Sequence, residues 1–79
     1  MIEKIKSIIK KSGYLNCDVN LSDSLSLDLR LDSLDMVEIG MHIEEEYNIK
    51  ITTEQLDKLV TVQDIVNLVV RLNPRKDTL

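Results

Sequence analysis

The amino-acid sequence predicts an all-α fold: a four-helix bundle of three longer helices and one short third helix, with a long loop between helices one and two. Three observations predict it. Apolar residues recur at helical spacing in three separate stretches. Capping residues stand in front of the later helices, at Asp32, Thr52 and Thr61. Strand-like alternation is confined to Leu25–Leu31 and to the pair Ile49 and Ile51, too little for a stable sheet.

Each element follows in order. Ile2, Ile5, Ile8 and Ile9 predict a first helix over residues 2–12, with Gly13 as its stop signal. Residues 14–31 have no helical period, and a connection of that length is uncommon unless it is functional or partly ordered. Leu25, Leu27, Leu29 and Leu31 within it are expected to plug the core from an extended loop. Asp32 predicts the N-cap of a second helix running to Tyr47, with Asn48 ending it. Thr52 and Gln55 form a capping-box pattern for a short helix near 53–58. Thr61 caps a last helix whose face carries Val62, Ile65, Val66, Val69 and Leu72, and Asn73-Pro74 stops it.

The chain has 79 residues, 43% of them hydrophobic, with no Ala, Phe or Trp. That length allows one domain, taken as residues 1–79, with a small aliphatic core. Cys17 is the sole cysteine and His42 the sole histidine, so an internal disulfide and a multi-Cys or His-rich metal site are excluded. Cys17 is expected to be a quiet small hydrophobe and His42 a surface residue. No apolar run approaches the roughly 18 residues of a membrane span. The start lacks a signal-peptide core, which predicts a cytoplasmic protein.

The net charge is −4 and the pI about 4.8, against the basic surface that nucleic acid requires. The charge is segregated. Residues 1–12 carry +3, residues 32–57 carry −7, and the C-terminal end is again basic. An acidic centre between basic ends suggests a field aimed at basic partners; a merely solvated face is the alternative.

The second helix has two apolar stripes. Met36, Ile39, Ile43 and Tyr47 share one side, and Leu34, Val37 and Met41 the other. Only one side is needed for a core shared with the other helices. The second, rimmed by Glu38, Glu44 and Glu45, has the pattern of a docking surface. Ser33 opens the same helix within Asp32-Ser33-Leu34-Asp35. Free amides and the positive dipole end favour a bound or attached phosphate there, although Asp-Ser is also ordinary capping. A nucleophilic role lacks a base: His42 lies nine residues on, about 14 Å away by helical rise. No Gly-x-Ser-x-Gly elbow surrounds the serine, and the Asp28–Asp32 stretch lacks the ligands and Gly of a calcium loop.

These residues resemble the acyl carrier protein family, of the small free-standing kind used in type II fatty acid or polyketide synthesis. The resemblance rests on Asp28-Leu29, Asp32-Ser33-Leu34-Asp35, Val37-Glu38, Glu44-Glu45-Glu46-Tyr47, Ile51 and Thr61-Val62-Gln63-Asp64. It covers nearly the whole chain. It implies a non-catalytic carrier whose Ser33 takes 4′-phosphopantetheine from coenzyme A, through a separate phosphopantetheinyl transferase. Acyl groups would ride on that arm as thioesters between acyl transferases, ketosynthases and other synthesis enzymes bearing basic patches. It also implies partner contacts at Asp32, Leu34, Asp35, Val37, Glu38, Met41, Glu44 and Glu45, and near the third helix at Ile51, Leu56 and Asp57. A monomer without catalytic residues or metal is the expected state.

Two departures bear on this resemblance. Arg30 replaces the family's usual Gly and puts a positive charge close to Ser33. Gly40 lies inside the second helix, at about 1 kcal/mol relative to Ala unless it permits close packing. Other readings stay open: a carrier of peptidyl, aryl or D-alanyl cargo, an unmodified acidic helical adaptor, or a small hydrolase.

Overall fold

The computed structural model describes residues 2–13, 15 and 18–72. Cys17 and the Asn73-Pro74 stop signal lie outside the described residues. Four helices follow one another: α1 (Ile2–Gly13), α2 (Ser33–Tyr47), α3 (Thr53–Asp57) and α4 (Val62–Leu72). The described residues contain no strand, only an isolated bridge between Ser24 and Thr61. The predicted all-α, four-helix architecture is therefore the observed one.

The helix starts are set by reciprocal capping. Asp32 accepts from the Asp35 amide at 2.9 Å, and the Asp35 carboxylate accepts from the Asp32 amide at 3.2 Å. Thr52 and Gln55 repeat the arrangement at α3, and Thr61 and Asp64 at α4. Each box satisfies two amides that a helix start otherwise leaves without partners. At the far end of α2, Asn48 turns into the left-handed region at φ 56° and its N–H donates to the Glu44 carbonyl. Asn tolerates that conformation better than most residues.

The core is aliphatic. Ile5 and Ile9 of α1, Ile39 and Ile43 of α2, and Val62, Ile65, Val66 and Val69 of α4 are all buried in one cluster. Helix α1 packs against both α2 and α4, while α3 packs against α2. Lys4 of α1 also pairs with Glu46 of α2 at 3.5 Å. Ile2 is exposed, and Ile8 only half-buried, so the inward face of α1 is narrower than its isoleucine spacing predicts.

The first loop departs from expectation. Leu25, Leu29 and Leu31 are buried as predicted, but Leu27 is 79% exposed. The segment is coiled rather than extended. Ser24 accepts through its carbonyl from the amides of Asp28 and Leu29, at 3.0 and 3.1 Å. The Asp28 carboxylate accepts from the Ser24 amide at 2.7 Å, and the Ser24 hydroxyl accepts from the Leu27 amide at 3.1 Å. Short polar side chains thus draw the backbone into a turn, and the turn lifts Leu27 out. The loop is tied to the start of α4 by Leu25 N–H to the Val60 carbonyl at 2.8 Å and by Val62 N–H to the Asp23 carbonyl at 3.1 Å.

Gly13 ends α1 as expected, but for a different reason. It has no positive φ. A Cβ there would lie 2.6 Å from Leu31 Cδ2, so the missing side chain makes room for the loop leucine.

Candidate functional site

The site is built on one face of α2 and on the cleft beside α3. Ser33 is the first residue of α2, one position after its N-cap, and is exposed. The capping box fixes the backbone on both sides of it. The first turn is closed by Met36 N–H to the Asp32 carbonyl at 3.0 Å. The amides of Ser33 and Leu34 find no acceptor among the described residues. The serine hydroxyl thus stands in solvent at the positive end of a 15-residue helix, on a rigid start.

The two stripes of α2 separate as the sequence predicts. Ile39 and Ile43 are buried, while Met36 and Tyr47 pack partly covered against the core. On the other side Leu34 is 78% exposed, Met41 54% and Val37 48%. Helix α3 borders this stripe at Val37 and Met41 without burying it. Glu38 and Glu45 are exposed on its flanks, and His42 is exposed as expected. Partial burial and, second to it, the neighbouring Glu46 carboxylate push the Tyr47 hydroxyl above its ordinary pKa.

Glu44 differs from its expected place as a free rim charge. It is half-buried, and its carboxylate accepts from the Ile51 amide at 2.7 Å. It therefore holds the segment between α2 and α3 as well as contributing charge. Asp32 and Asp35 likewise spend carboxylate oxygens on the capping box. The freely presented acids flanking the stripe are Glu38 and Glu45, and Asp57 is exposed on α3.

Between α2 and α3 lies an open cleft of ≈ 180 Å³. Val37, Met41, Glu44, Ile51 and Leu56 line it, which brings five of the predicted residues together. Gly40 and Thr53 complete the lining and escaped the sequence prediction of site residues. Gly40 carried a signal: a glycine inside a helix asks for a packing reason. The reason is Leu56, whose Cδ2 would stand 3.2 Å from a Cβ at position 40. Ser33 and the cleft are on the same helix, about two turns apart along its axis.

The conformation of Arg30 was also hidden in the sequence. Arg30 is exposed and occupies the left-handed region at φ 56°. Among the described residues only Arg30 and Asn48 do so.

A helical domain with an exposed serine at the start of its second helix and an uncovered apolar face beside it belongs to a recognisable class. The family described as phosphopantetheine attachment site matches residues 3–69. The chain belongs to the acyl carrier protein family, and its cofactor is phosphopantetheine. An acyl carrier protein of Buchnera aphidicola is 41% identical over 68 residues, covering 85% of this chain and 87% of that one. A chloroplastic acyl carrier protein of Brassica napus is 39% identical over 72 residues, covering 90% of this chain and 54% of the relative. The chain thus spans about half the length of the chloroplastic relatives and most of the bacterial one. A Mycobacterium tuberculosis structure assigned as an acyl carrier protein superposes with a TM-score of 0.84 at 24% identity, over 89% of this chain and 95% of the other. That likeness concerns the fold.

Proposed function

We propose that this chain carries acyl groups on a 4′-phosphopantetheine arm attached to Ser33, and passes them between enzymes of fatty acid or polyketide-type synthesis. The observation that carries the reading is the exposed Ser33 at the first position of α2, held by the Asp32–Asp35 box beside the uncovered Leu34–Val37–Met41 stripe. The residues fit the group. A hydroxyl in solvent leaves room for a phosphodiester, and two amides without acceptors at a helix start suit its charge. When bound, the arm supplies a terminal thiol that holds acyl groups as thioesters.

The chain's own residues do the rest. The capping box orients Ser33 toward a phosphopantetheinyl transferase. Leu34, Val37 and Met41 provide apolar contact for transferases and synthesis enzymes, with Glu38, Glu45 and Asp57 steering basic patches toward it. Ile51 and Leu56 border the cleft that partners or cargo meet next to the stripe. The tether raises the effective concentration of cargo at each partner's active site. In this reading residues 1–79 form one non-catalytic, monomeric, cytoplasmic domain. No helix among the described residues is long and apolar enough to cross a membrane.

Incubation with coenzyme A and a broad-specificity phosphopantetheinyl transferase tests the attachment. The intact mass should rise by one phosphopantetheine unit in the parent and stay unchanged in Ser33→Ala. A gain in both would move the site elsewhere. No gain in the parent, with any transferase active on a control carrier, would remove the proposal.

A further inference from the structure

Arg30 is the only Lys or Arg between Lys11 and Lys50. It stands three residues before Ser33, exposed, in a backbone conformation that glycine adopts freely and an L side chain adopts at a cost. Nothing in the local fold uses its charge. Each nearby carboxylate gives one oxygen to a backbone amide, Asp28 to Ser24 at 2.7 Å, Asp32 to Asp35 at 2.9 Å and Asp35 to Asp32 at 3.2 Å, and none of the three forms an ion pair with Arg30. Among the described residues Lys4 pairs with Glu46, and Arg30 takes part in no ion pair.

We infer that Arg30 pairs with the phosphodiester esterified to Ser33 and holds the root of the arm; this rests on the reading of Ser33 as the attachment site. A phosphodiester adds a negative charge to a helix start already carrying Asp32, Asp35 and, one turn on, Glu38. A single nearby cation offsets that repulsion. Three residues of backbone span at most about 10–11 Å, which an extended arginine and the serine ester bridge together. The guanidinium is always charged, and its planar fork matches two phosphate oxygens at once; a lysine would supply only a point charge. The arrangement gives a reason for a bulky cation where glycine would fold more easily.

The test uses the parent, Arg30→Gln and Arg30→Lys, each in bare and phosphopantetheine-bearing form. Gln keeps the left-handed backbone cost and removes the charge, so comparing bare with loaded forms isolates the pairing. Loading should raise the Tm of the parent by about 2–4 °C more than that of Arg30→Gln, the scale of one exposed charge pair in a domain this small. Arg30→Lys should fall between them. The difference should shrink when salt rises from ~20 mM to ~500 mM. The phosphorus resonance of the loaded parent should also differ from that of loaded Arg30→Gln. Equal Tm shifts and an unchanged phosphorus resonance would overturn the pairing. Slower loading of Arg30→Gln with equal Tm shifts would assign the charge to the transferase surface instead, and overturn it too. A parent that accepts no arm would remove the Ser33 reading and this inference with it, and the intact mass tells that failure apart.

Discussion

Gly40→Ala separates two opposing effects at the joint between α2 and α3. Glycine inside a helix is about 0.8–1.0 kcal/mol less favourable than alanine, so the substitution starts with a gain of that size. Against it stands Leu56. A Cβ at position 40 would meet Leu56 Cδ2 at 3.2 Å and Cδ1 at 3.4 Å, slightly inside the usual 3.5–4.0 Å. The contact atoms are the far end of a half-buried leucine on a five-residue helix. A few tenths of an ångström of movement there costs about 0.5 kcal/mol, the lower end of an off-rotamer adjustment. The net is a stabilisation of about 0.5 kcal/mol, or a Tm rise of about 2–4 °C in a domain of this size. In a Leu56→Ala background the obstruction is gone, and Gly40→Ala should gain nearly the full propensity term, about 1 kcal/mol. Thermal melts of the four proteins give the coupling directly. A Tm that falls in the parent background and rises in the Leu56→Ala background would refute a yielding Leu56, and would mean that α3 is clamped rigidly on α2.

Gly13→Ala should behave in the opposite way. Its Cβ would lie 2.6 Å from Leu31 Cδ2, well inside contact, and Leu31 is buried with little room to withdraw. Melts should show a loss of about 1–2 kcal/mol, within the usual range for overpacking; an unchanged Tm would mean the loop leucine relocates freely. Asp64→Asn should make stability less dependent on acid. The amides of Thr61 and Val60 hold the Asp64 carboxyl below the ordinary carboxylate value of about 3.9. A group with a depressed folded pKa contributes above its unfolded pKa and loses that contribution as pH falls through the folded value. The parent should therefore exceed the variant at pH 7 and converge on it below about pH 4; a gap independent of pH would remove the carboxylate's charge from the capping of α4.

The legible parts of this molecule are those encoded locally. Capping pairs sit three residues apart, and helical apolar spacing needs no knowledge of the rest of the chain. For that reason Asp32, Thr52 and Thr61 mark their helices correctly, and the two stripes of α2 are visible in the sequence alone. The first loop was less legible, because its apolar alternation masks the short-range polar turn of Ser24 and Asp28, and its anchors at Val60 and Val62 lie far along the chain. Leu25–Leu31 alternates like a strand, yet the bonds around Ser24 and the ties to Val60 and Val62 wind it into a turn that exposes Leu27. Gly13 looked like a helix stop on conformational grounds, and only the approach of Leu31 shows that space is what it provides. Glu44 looked like another surface acid because nothing in the sequence announces its bond to the Ile51 amide.

The exposed stripe of α2 sets the kind of docking the proposed carrier can achieve. Full burial of a leucine, valine or methionine is worth about 1.5–3 kcal/mol. Leu34, Val37 and Met41 are already partly covered, so a partner gains only a fraction of that from each. Association costs an estimated 4–15 kcal/mol in lost freedom. The apolar stripe alone therefore reaches only the low end of the cost of binding, and charge and further contacts must supply the rest. The free acids at Glu38, Glu45 and Asp57 are exposed, so their contribution is long-ranged and screened by salt. Such a face forms encounters quickly and releases them quickly. A carrier that must leave each enzyme before reaching the next needs that combination, and a wider apolar stripe would work against it.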